Sequence, residues 1–231
     1  MNRGPIIAID GPAGAGKSTV ARHLAEHFGL LNLETGAMYR AFALKAILSD
    51  YDFDDAEALG QLARTSHIEL QPERTGNRVL LDGEDVTERI RDADVTQGAS
   101  RVSVHPNIRA WMVDLQRELG RSGGVVMEGR DIGTVVFPDA DVKVFLDASP
   151  EARGQRRYEQ NAQSALRGTS DADRETVLQA LRNRDERDRN RANSPLHPAA
   201  DAIVIDSTSM SLEEVLARIE EIVRPLLAKK Q

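Results

Sequence analysis

One stretch near the start of the chain has the residue types and the spacing of a phosphate-binding loop. It consists of Gly11, Pro12, Ala13, Gly14, Ala15, Gly16, Lys17, Ser18 and Thr19. These residues fit the pattern G-x-x-x-x-G-K-[ST] without a mismatch. An apolar, β-branched run at residues 5–9 precedes them, and Val20, Leu24 and Phe28 follow at helical spacing. A strand, a glycine-rich turn and a helix N-terminus form the context in which this pattern binds phosphate.

The residue types of this loop predict a site for a nucleoside triphosphate. The glycines let successive backbone N–H groups approach phosphate oxygens, because no Cβ stands in the way. Lys17 is expected to reach the β- and γ-phosphates, and the hydroxyl of Ser18 is expected to bind Mg²⁺. The alternative is a glycine-rich surface turn with an isolated lysine, but the complete motif in its strand–loop–helix context favours the phosphate site.

A second cluster lies at residues 128–138, directly after an apolar run at residues 125–127 that predicts a buried strand. Two glycines bracket an adjacent pair, Arg130 and Asp131. Open α/β sheets bind ligands outside the carboxyl ends of their strands, so this cluster is a candidate ligand site. Glu128, at the strand end, could hold Mg²⁺ through a water molecule. A surface Arg–Asp pair is the alternative.

Arginines in two further segments are candidates for binding a phosphate group. Arg40 lies near the start of a predicted helix, where its guanidinium could form two hydrogen bonds with a phosphate. An ordinary surface arginine explains this residue equally well. Residues 151–191 are rich in arginine, and Arg184, Asp188 and Arg191 share one helical face at i, i+4 and i+7. A solvated helix with many salt bridges explains that run equally well.

Two of the five histidines, His23 and His27, are four residues apart on the first predicted helix. This spacing places both side chains on one helical face, as a metal site would require. No acidic ligand pattern accompanies them in the sequence, so we expect a solvated helix face rather than a metal site.

Composition limits the classes of protein that the chain can belong to. The chain has 231 residues, of which 29% are charged, 40% hydrophobic and 4% aromatic, with a net charge of −7 and no cysteine. This balance suits a soluble α/β protein and excludes disulfides, thiolate catalysis and cysteine-bound zinc. We see neither a signal peptide nor an apolar run of membrane length. We therefore expect a cytoplasmic monomer that binds neither a membrane nor nucleic acid.

The elements that must position the candidate residues follow from the apolar periodicity. Besides those named above, the predicted strands are residues 30–33, which we expect to be buried, 141–147 and 202–206. The predicted helices are residues 34–49, capped by Thr35, residues 107–121, ended by Gly123 and Gly124, and two helices capped by Ser149 and Ser211. Trp111 lies on the apolar stripe of one helix and is expected to pack in the core. Because strands alternate with helices, the sequence predicts an α/β fold, a doubly wound parallel five-stranded sheet flanked by helices.

Residues 50–103 interrupt this alternation. A weak acidic helix is predicted at residues 54–64. Two strands at residues 67–70 and 78–81 are separated by a polar turn at residues 72–77, which indicates a hairpin. The segment therefore predicts a small α+β insertion on the core.

The arginine-rich segment predicts a second addition to the core. Two exposed helices with a break at residues 167–170 indicate a mobile helical lid. The predicted division is a core of residues 1–49, 104–150 and 192–231, an insertion of residues 50–103 and a lid of residues 151–191.

Four separated segments together resemble those of bacterial cytidylate kinases. They are the phosphate-binding loop, the run Thr35-Gly36-Ala37-Met38-Tyr39-Arg40, the run Gly129-Arg130-Asp131-Ile132-Gly133-Thr134-Val135-Val136-Phe137-Pro138, and the pattern R-D-x-R-D-R-N-R at residues 184–191. The resemblance extends from about residue 7 to residue 208. The insertion strengthens it, because such an insertion distinguishes this family from the shorter adenylate kinases. Glu34 is a small departure, since an aspartate or a neutral residue is commoner there.

The resemblance implies an enzyme that transfers the γ-phosphoryl group of ATP to CMP or dCMP with Mg²⁺. It implies catalytic roles for Lys17, Arg130, Arg184 and Arg191. The implied ATP contacts are the loop at residues 11–19 and the lid residues Arg153, Arg156 and Arg157. The implied CMP contacts are Thr35, Tyr39, Arg40, Ser100, Arg109, Arg130, Asp131, Arg184, Asp188 and Arg191. Ser100, Arg109 and Asp131 would face the cytosine, although Asp131 could instead anchor Arg130.

Three rival functions make different demands on the sequence. A regulatory GTPase would carry an N-K-x-D segment, and the chain has none. A nucleic-acid-binding ATPase would need a basic stripe with aromatic residues, whereas the densest arginine run, residues 182–191, contains three acids and no aromatic residue. A related kinase with another small-molecule acceptor is opposed only by the acceptor-site residues.

Overall fold

The computed structural model describes residues 3–73, 76–165 and 174–228. Its strands are β1 (Ile6–Asp10), β2 (Leu31–Glu34), β3 (Ile68–Glu73), β4 (Gly76–Leu81), β5 (Glu84–Asp85), β6 (Val125–Gly129), β7 (Val142–Asp147) and β8 (Ile203–Asp206). Its α-helices are α1 (Lys17–Phe28), α2 (Thr35–Leu48), α3 (Ala56–Arg64), α4 (Ala93–Val102), α5 (Pro106–Leu119), α6 (Pro150–Ala165), α7 (Arg174–Asn190) and α8 (Leu212–Ala228). A π-helical turn spans Ile132–Val136.

The main sheet confirms the predicted fold class. Its five strands are all parallel and lie in the order β2–β6–β1–β7–β8. The strand that precedes the phosphate-binding loop is therefore central, and the strand that precedes the Arg130–Asp131 pair is its neighbour. Because the strands are parallel, their carboxyl ends meet at one edge, and both candidate clusters lie there.

Helices cover the main sheet on both faces. All five residues of β1 are buried, as expected for a central strand of a parallel sheet. Ile7 and Ile9 belong to a core cluster that includes residues of α1 and α8. Ile6 and Ala8 belong to another cluster, with residues of α5 and of the π-helical turn. This alternation follows from the two-residue period of a strand.

A second sheet lies within residues 50–103. It contains the predicted hairpin, β3 and β4, and a short third strand, β5, which the sequence did not predict. The prediction of a polar turn at residues 72–77 is wrong for most of these residues, because β3 continues to Glu73 and β4 begins at Gly76. Residues 74 and 75 lie outside the described residues. Asn77 joins this sheet to the main one: its side chain donates to the carbonyl oxygen of Asn32 (2.7 Å) and accepts from the amide of Glu34 (2.9 Å).

Several local predictions need correction. Thr35 is the first residue of α2 rather than its cap, and its hydroxyl donates to the carbonyl oxygen of Glu128 at 2.8 Å. The strand at residues 30–33 exists as β2 but is not buried, because it lies at the edge of the sheet and Leu31 is 53% exposed. Helix α5 ends at the cap Gly120 rather than at residues 123 and 124.

Other local predictions are confirmed. The hydroxyl of Ser149 accepts from the amide of Ala152, and the hydroxyl of Ser211 accepts from the amide of Glu214, both at 3.2 Å. Trp111 packs in the core, with its ring 5.2 Å from that of Phe42.

Helices α6 and α7 pack against each other and make up most of residues 151–191. The break predicted at residues 167–170 lies outside the described residues, and the division into core, insertion and lid stays a prediction. In the described part of the chain, no helix is both long enough and apolar enough to cross a membrane.

Candidate active site

The phosphate-binding loop lies between the end of β1 and the start of α1. Gly11 has a φ of +149°, and a Cβ there would lie 2.0 Å from the carbonyl oxygen of Leu146, so only glycine fits between the loop and β7. Lys17 is buried, and its ammonium donates to the carbonyl oxygen of Pro12 at 2.7 Å. The lysine is therefore folded back over its own loop.

Three side chains with oxygen atoms that could bind a cation lie near the ends of β2 and β6. They belong to Ser18, Glu34 and Glu128. The hydroxyl of Ser18 donates to Glu128 Oε1 at 2.5 Å. Glu34 is the register partner of Glu128, so two carboxylates lie side by side beyond the loop. Burial, and then the charge of Glu34, raise the pKa of Glu128. A hydroxyl and two carboxylates that repel each other are the kind of ligand set that binds a hard divalent cation.

Arg130 and Asp188 bring the second cluster into contact with α7. Arg130 Nε donates to Asp188 Oδ2 at 2.9 Å, and Arg191 Nη1 lies 3.8 Å from Asp188 Oδ1. Burial would raise the pKa of Asp188, but the charges of Arg130, Arg184 and Arg191 hold it below its ordinary value. Asp188 is therefore ionised, and it holds arginines from two segments around one point.

The neighbouring corner of the site is built on Arg109 and Asp131. Arg109 Nη2 donates to Asp131 Oδ2, and both side chains are buried. The Arg109 guanidinium also lies over the ring of Tyr39, 5.8 Å from its centroid. Burial raises the pKa of Tyr39 to about 12, so this phenol stays protonated at physiological pH. Arg130 is anchored by Asp188, whereas Asp131 is paired with Arg109.

In this part of the site, burial and neighbouring cations lower the pKa of Lys17 and of Arg184. Burial, followed by the charge of Arg130, lowers the pKa of Lys17 to about 7. Burial and the charges of Arg130, Arg40 and Arg157 lower the pKa of Arg184 to about 10, against the opposite effect of Asp188. Arg40 itself donates to Glu34 Oε1 at 2.9 Å. Such a concentration of positive charge suits a ligand with several negative charges.

Several buried side-chain atoms of the predicted CMP-site residues lack a hydrogen-bond partner in the described part of the chain. In the part of the chain that the structure describes, nine buried side-chain nitrogen or oxygen atoms have no hydrogen-bond partner. Five of them belong to predicted CMP-site residues: Arg40 Nε, Ser100 Oγ, Arg109 Nε, Arg184 Nε and Arg191 Nη2. An unpaired buried polar group costs about 1–3 kcal/mol, and a charged one more. These atoms therefore mark a place where a polar, anionic ligand would be satisfied.

The three lid arginines that were predicted to contact ATP lie in different surroundings. Arg153 is fully buried and donates to Ala148 O, Ala13 O and Asp185 Oδ2 at 2.9, 2.9 and 2.5 Å. Arg156 donates to the hydroxyl and the carbonyl oxygen of Ser207. Arg157 is exposed. Their contacts with ATP stay predictions, but the guanidinium of Arg153 is already held by three protein acceptors.

Sequence reasoning missed two residues of this site. Asp10, the last residue of β1, accepts from the amides of Ile132 and Gly133 at 2.8 and 2.7 Å and so holds the turn that follows Arg130 and Asp131. The available signal was a carboxylate at the end of an otherwise apolar strand. Asp185, the partner of Arg153, lies within the arginine-rich run, but no spacing pattern identifies a partner 32 residues away.

Comparison with known proteins gives one consistent result. A family model described as cytidylate kinase matches residues 7–225. A cytidylate kinase of Pelotomaculum thermopropionicum is 52% identical over 220 residues, which are 95% of this chain and 96% of that protein. A cytidylate kinase of Geobacillus kaustophilus is 49% identical over 223 residues, 96% of this chain and 98% of that protein. A cytidylate kinase of Solibacter usitatus is 48% identical over 222 residues, 95% and 92% of the two chains.

Proposed function

The chain belongs to the cytidylate kinase family, and on that premise we propose that it transfers the γ-phosphoryl group of ATP to CMP or dCMP, giving ADP and CDP or dCDP. Family membership makes the chain an enzyme, a nucleoside monophosphate kinase of the (d)CMP type. The proposal adds the identity of the donor, the use of Mg²⁺, the in-line mechanism and the roles of single residues. Its place would be pyrimidine nucleotide metabolism.

One observation carries the proposal at the level of the site. Among the described residues, five buried donors without a partner belong to residues from α2, α4, α5 and α7 and the segment after it. Of the cations among them, Arg184 lies near Lys17, Arg130 and Arg40, and Arg191 lies near Arg109. A monophosphate would supply charged acceptors to the arginines, and a base edge would supply partners to Ser100 and Arg109. The γ-phosphate of a nucleotide on the loop would lie at the same edge of the sheet, next to this acceptor.

The chemistry demands alignment rather than proton transfer by the protein. The second pKa of a phosphate monoester is about 6, so at neutral pH the acceptor oxygen is already an anionic nucleophile. It attacks the γ-phosphorus of ATP while the bond to the bridging oxygen of ADP breaks in line with it. Lys17 would hold the donor, and Arg40, Arg130 and Arg191 would hold the acceptor phosphate or the charge in transfer. No general base is needed.

The oxygen ligands beside the loop fit a magnesium ion. Ser18 and Glu128 are within hydrogen-bond distance of each other, and the raised pKa of Glu128 indicates a carboxylate that lacks a full countercharge. We assign Mg²⁺ to Ser18, with Glu128 as a ligand through water. When bound, the ion would neutralise charge on the donor phosphates.

The acceptor base would be read by the buried corner around Asp131. Cytosine presents an amino donor at position 4, whereas uracil presents a carbonyl oxygen there. Asp131 would accept from that amino group, with Arg109 and Ser100 meeting the rest of the pyrimidine edge. Thr35 and Tyr39 would line the same region, and Arg184 and Asp188 would approach the sugar.

A panel of acceptors tests the proposal directly. The protein is incubated with ATP, Mg²⁺ and, in turn, CMP, dCMP, UMP, AMP and GMP, and formation of each diphosphate is measured. We expect CMP and dCMP to be phosphorylated much faster than the others. Preference for another monophosphate would contradict the assigned acceptor, and a lack of dependence on ATP or Mg²⁺ would contradict the assigned donor or metal. The same preparations, run on a sizing column, also test the expected monomer.

A further inference from the structure

His23 and His27 of α1 meet an acidic residue that lies far from them in sequence. His23 Nε2 is 2.5 Å from Glu220 Oε1, and His27 Nε2 is 3.7 Å from Glu220 Oε2. Glu220 lies on α8, which packs beside α1. The sequence shows no acidic ligand pattern beside the histidine pair, whereas the fold brings an acid to it from the last helix.

We propose that His23, His27 and Glu220 form a binding site for a divalent transition-metal ion of the zinc class. The three ligand atoms all lie within 4.8 Å of one another. A tetrahedral zinc ion with bonds of about 2.0–2.1 Å holds its ligands about 3.4 Å apart, so small side-chain rotations are enough to close the site. Imidazole nitrogens favour zinc, cobalt and nickel over magnesium, which separates this site from the oxygen ligands of the active centre.

The surroundings allow an ion to enter and to keep bound water. The side chains of His23, His27 and Glu220 are 33%, 34% and 23% exposed, so the cluster lies at the surface of the helix pair. Glu220 places Oε1 beside His23 and Oε2 beside His27, so its carboxylate faces both imidazoles. Three protein ligands leave at least one coordination position for water.

Arg224 occupies the position that the ion would compete for. Its Nη2 lies 2.8 Å from His27 Nε2 and 3.3 Å from Glu220 Oε2. Because a guanidinium only donates, Nε2 of His27 carries a lone pair that faces the cluster. The Arg224 side chain is 61% exposed, and its guanidinium also lies over the Phe28 ring, 5.9 Å from the ring centroid. The guanidinium of Arg224 thus supplies, beside His27 and Glu220, the positive charge that a bound metal ion would supply.

A metal ion bound here would link α1 to α8 and would take no part in the reaction. Helix α1 begins at Lys17, at the phosphate-binding loop, while His23 and His27 lie on its second half. The proposal is independent of the assigned substrates. Its direct consequences are a bound ion and a more stable protein.

Metal binding and heat stability test the site. Protein without a histidine tag is dialysed against micromolar ZnCl₂ with millimolar MgCl₂ present, and zinc per chain is measured. We expect one zinc ion per chain in the wild type and less than a tenth of that in His23→Gln and in Glu220→Gln. At about a hundred times Kd, zinc should raise Tm by roughly 5–10 °C. The matched control is His67→Gln, which removes another histidine near a carboxylate and should leave zinc binding unchanged.

The Arg224→Gln variant separates a metal site from a simple salt-bridge cluster. If the proposal holds, removing the competing cation should tighten zinc binding by about tenfold. It should also strengthen the visible absorption of bound Co²⁺ at a given cobalt concentration. Zinc binding that is absent from the wild type, or equal in the wild type and in His23→Gln, would overturn the proposal. So would weaker zinc binding in Arg224→Gln.

Discussion

The guanidinium of Arg109 donates to the carboxylate of Asp131, and both side chains are buried. Arg109 Nε and the hydroxyl of Ser100, another residue predicted to face the base, have no hydrogen-bond partner among the described residues. A paired carboxylate next to unpaired donors can be completed by a ligand that donates one hydrogen bond and accepts others. The position-4 amino group, ring nitrogen and carbonyl oxygen of cytosine have that pattern.

The selectivity between CMP and UMP should depend on Asp131. We expect the wild type to prefer CMP, by up to about 10⁴ in kcat/KM, because a carboxylate repels the uracil oxygen. Asp131→Asn and Asp131→Ala should narrow this gap mainly by losing CMP activity. Steady-state kinetics with both acceptors measure the ratio, and variants with a wild-type Tm are compared. A ratio that stays constant while both rates fall would show that Asp131 only supports the structure.

Lys17→Met should leave the fold intact and remove most of kcat. The lysine is buried, and among the described residues its ammonium donates only to the carbonyl oxygen of Pro12 in its own loop, so the substitution breaks no hydrogen bond to another element. The variant does remove a positive charge that acts on the carboxylates of Glu128 and Asp10. Loss of a preorganised charge at a transferring phosphoryl group costs on the order of 10²–10³ in rate. Turnover and the circular dichroism melt are measured together. Normal turnover in the folded variant would contradict the assigned role of the loop.

ATP binding should take up a proton at Lys17. Burial and Arg130 lower the pKa of the lysine to about 7 in the free protein, and a bound polyphosphate would raise it. At pH 8 the free lysine is mostly neutral, so binding should take up nearly one proton, whereas at pH 6 it should take up almost none. ATP affinity should therefore fall from pH 7 to pH 9. Calorimetry in two buffers of different ionisation enthalpy counts the protons, and Lys17→Met is the control; equal uptake in both proteins would contradict the assignment.

The sequence predicted the sheet and the two site clusters, because an apolar run before a glycine-rich turn places its ligand-binding residues at a strand end. The partial exposure of β2 could not be predicted, since only the strand order places this strand at an edge of the sheet. Asp10 was missed because it precedes the loop motif by one residue and acts on a turn 122 residues away. The arginine run showed which residues share a helical face. It did not show that the guanidinium of Arg153 would donate to the carboxylate of Asp185.

Arg153 and Asp185 should matter for stability more than for ATP contact. Their ion pair is buried and joins α6 to α7, and Arg153 also holds the carbonyl oxygen of Ala13 in the loop. Removing one partner of a buried pair costs about 3–5 kcal/mol. Urea unfolding of Arg153→Gln and Asp185→Asn should show similar losses. The control is Arg157→Gln, which also removes one positive charge from the predicted lid but at an exposed residue. A loss of ATP affinity in Arg153→Gln with unchanged stability would instead show that Arg153 is a nucleotide contact.

The stability contributed by Asp10 should fall as the pH rises. Burial raises the pKa of this carboxyl from 3.8 to about 6, against the lowering effect of the Gly133 and Ile132 amides. Because the native pKa lies above the unfolded one, the native state binds the proton more tightly. The contribution is therefore complete below pH 3.8 and is lost as the pH passes 6. Asp10→Asn cannot titrate, so its unfolding free energy should lack this component.

The comparison of wild type with Asp10→Asn isolates the effect from other titrating groups. The variant should be less stable throughout, because one oxygen that accepts from a backbone amide becomes an NH₂ group. The stability advantage of the wild type should shrink by about 2 kcal/mol between pH 4.5 and pH 7. Urea unfolding at pH 4.5, 5.5, 6.5 and 7 measures it. An advantage that is constant over this range would show that Asp10 is already ionised at pH 4.5, in which case the two amides, rather than burial, dominate its protonation.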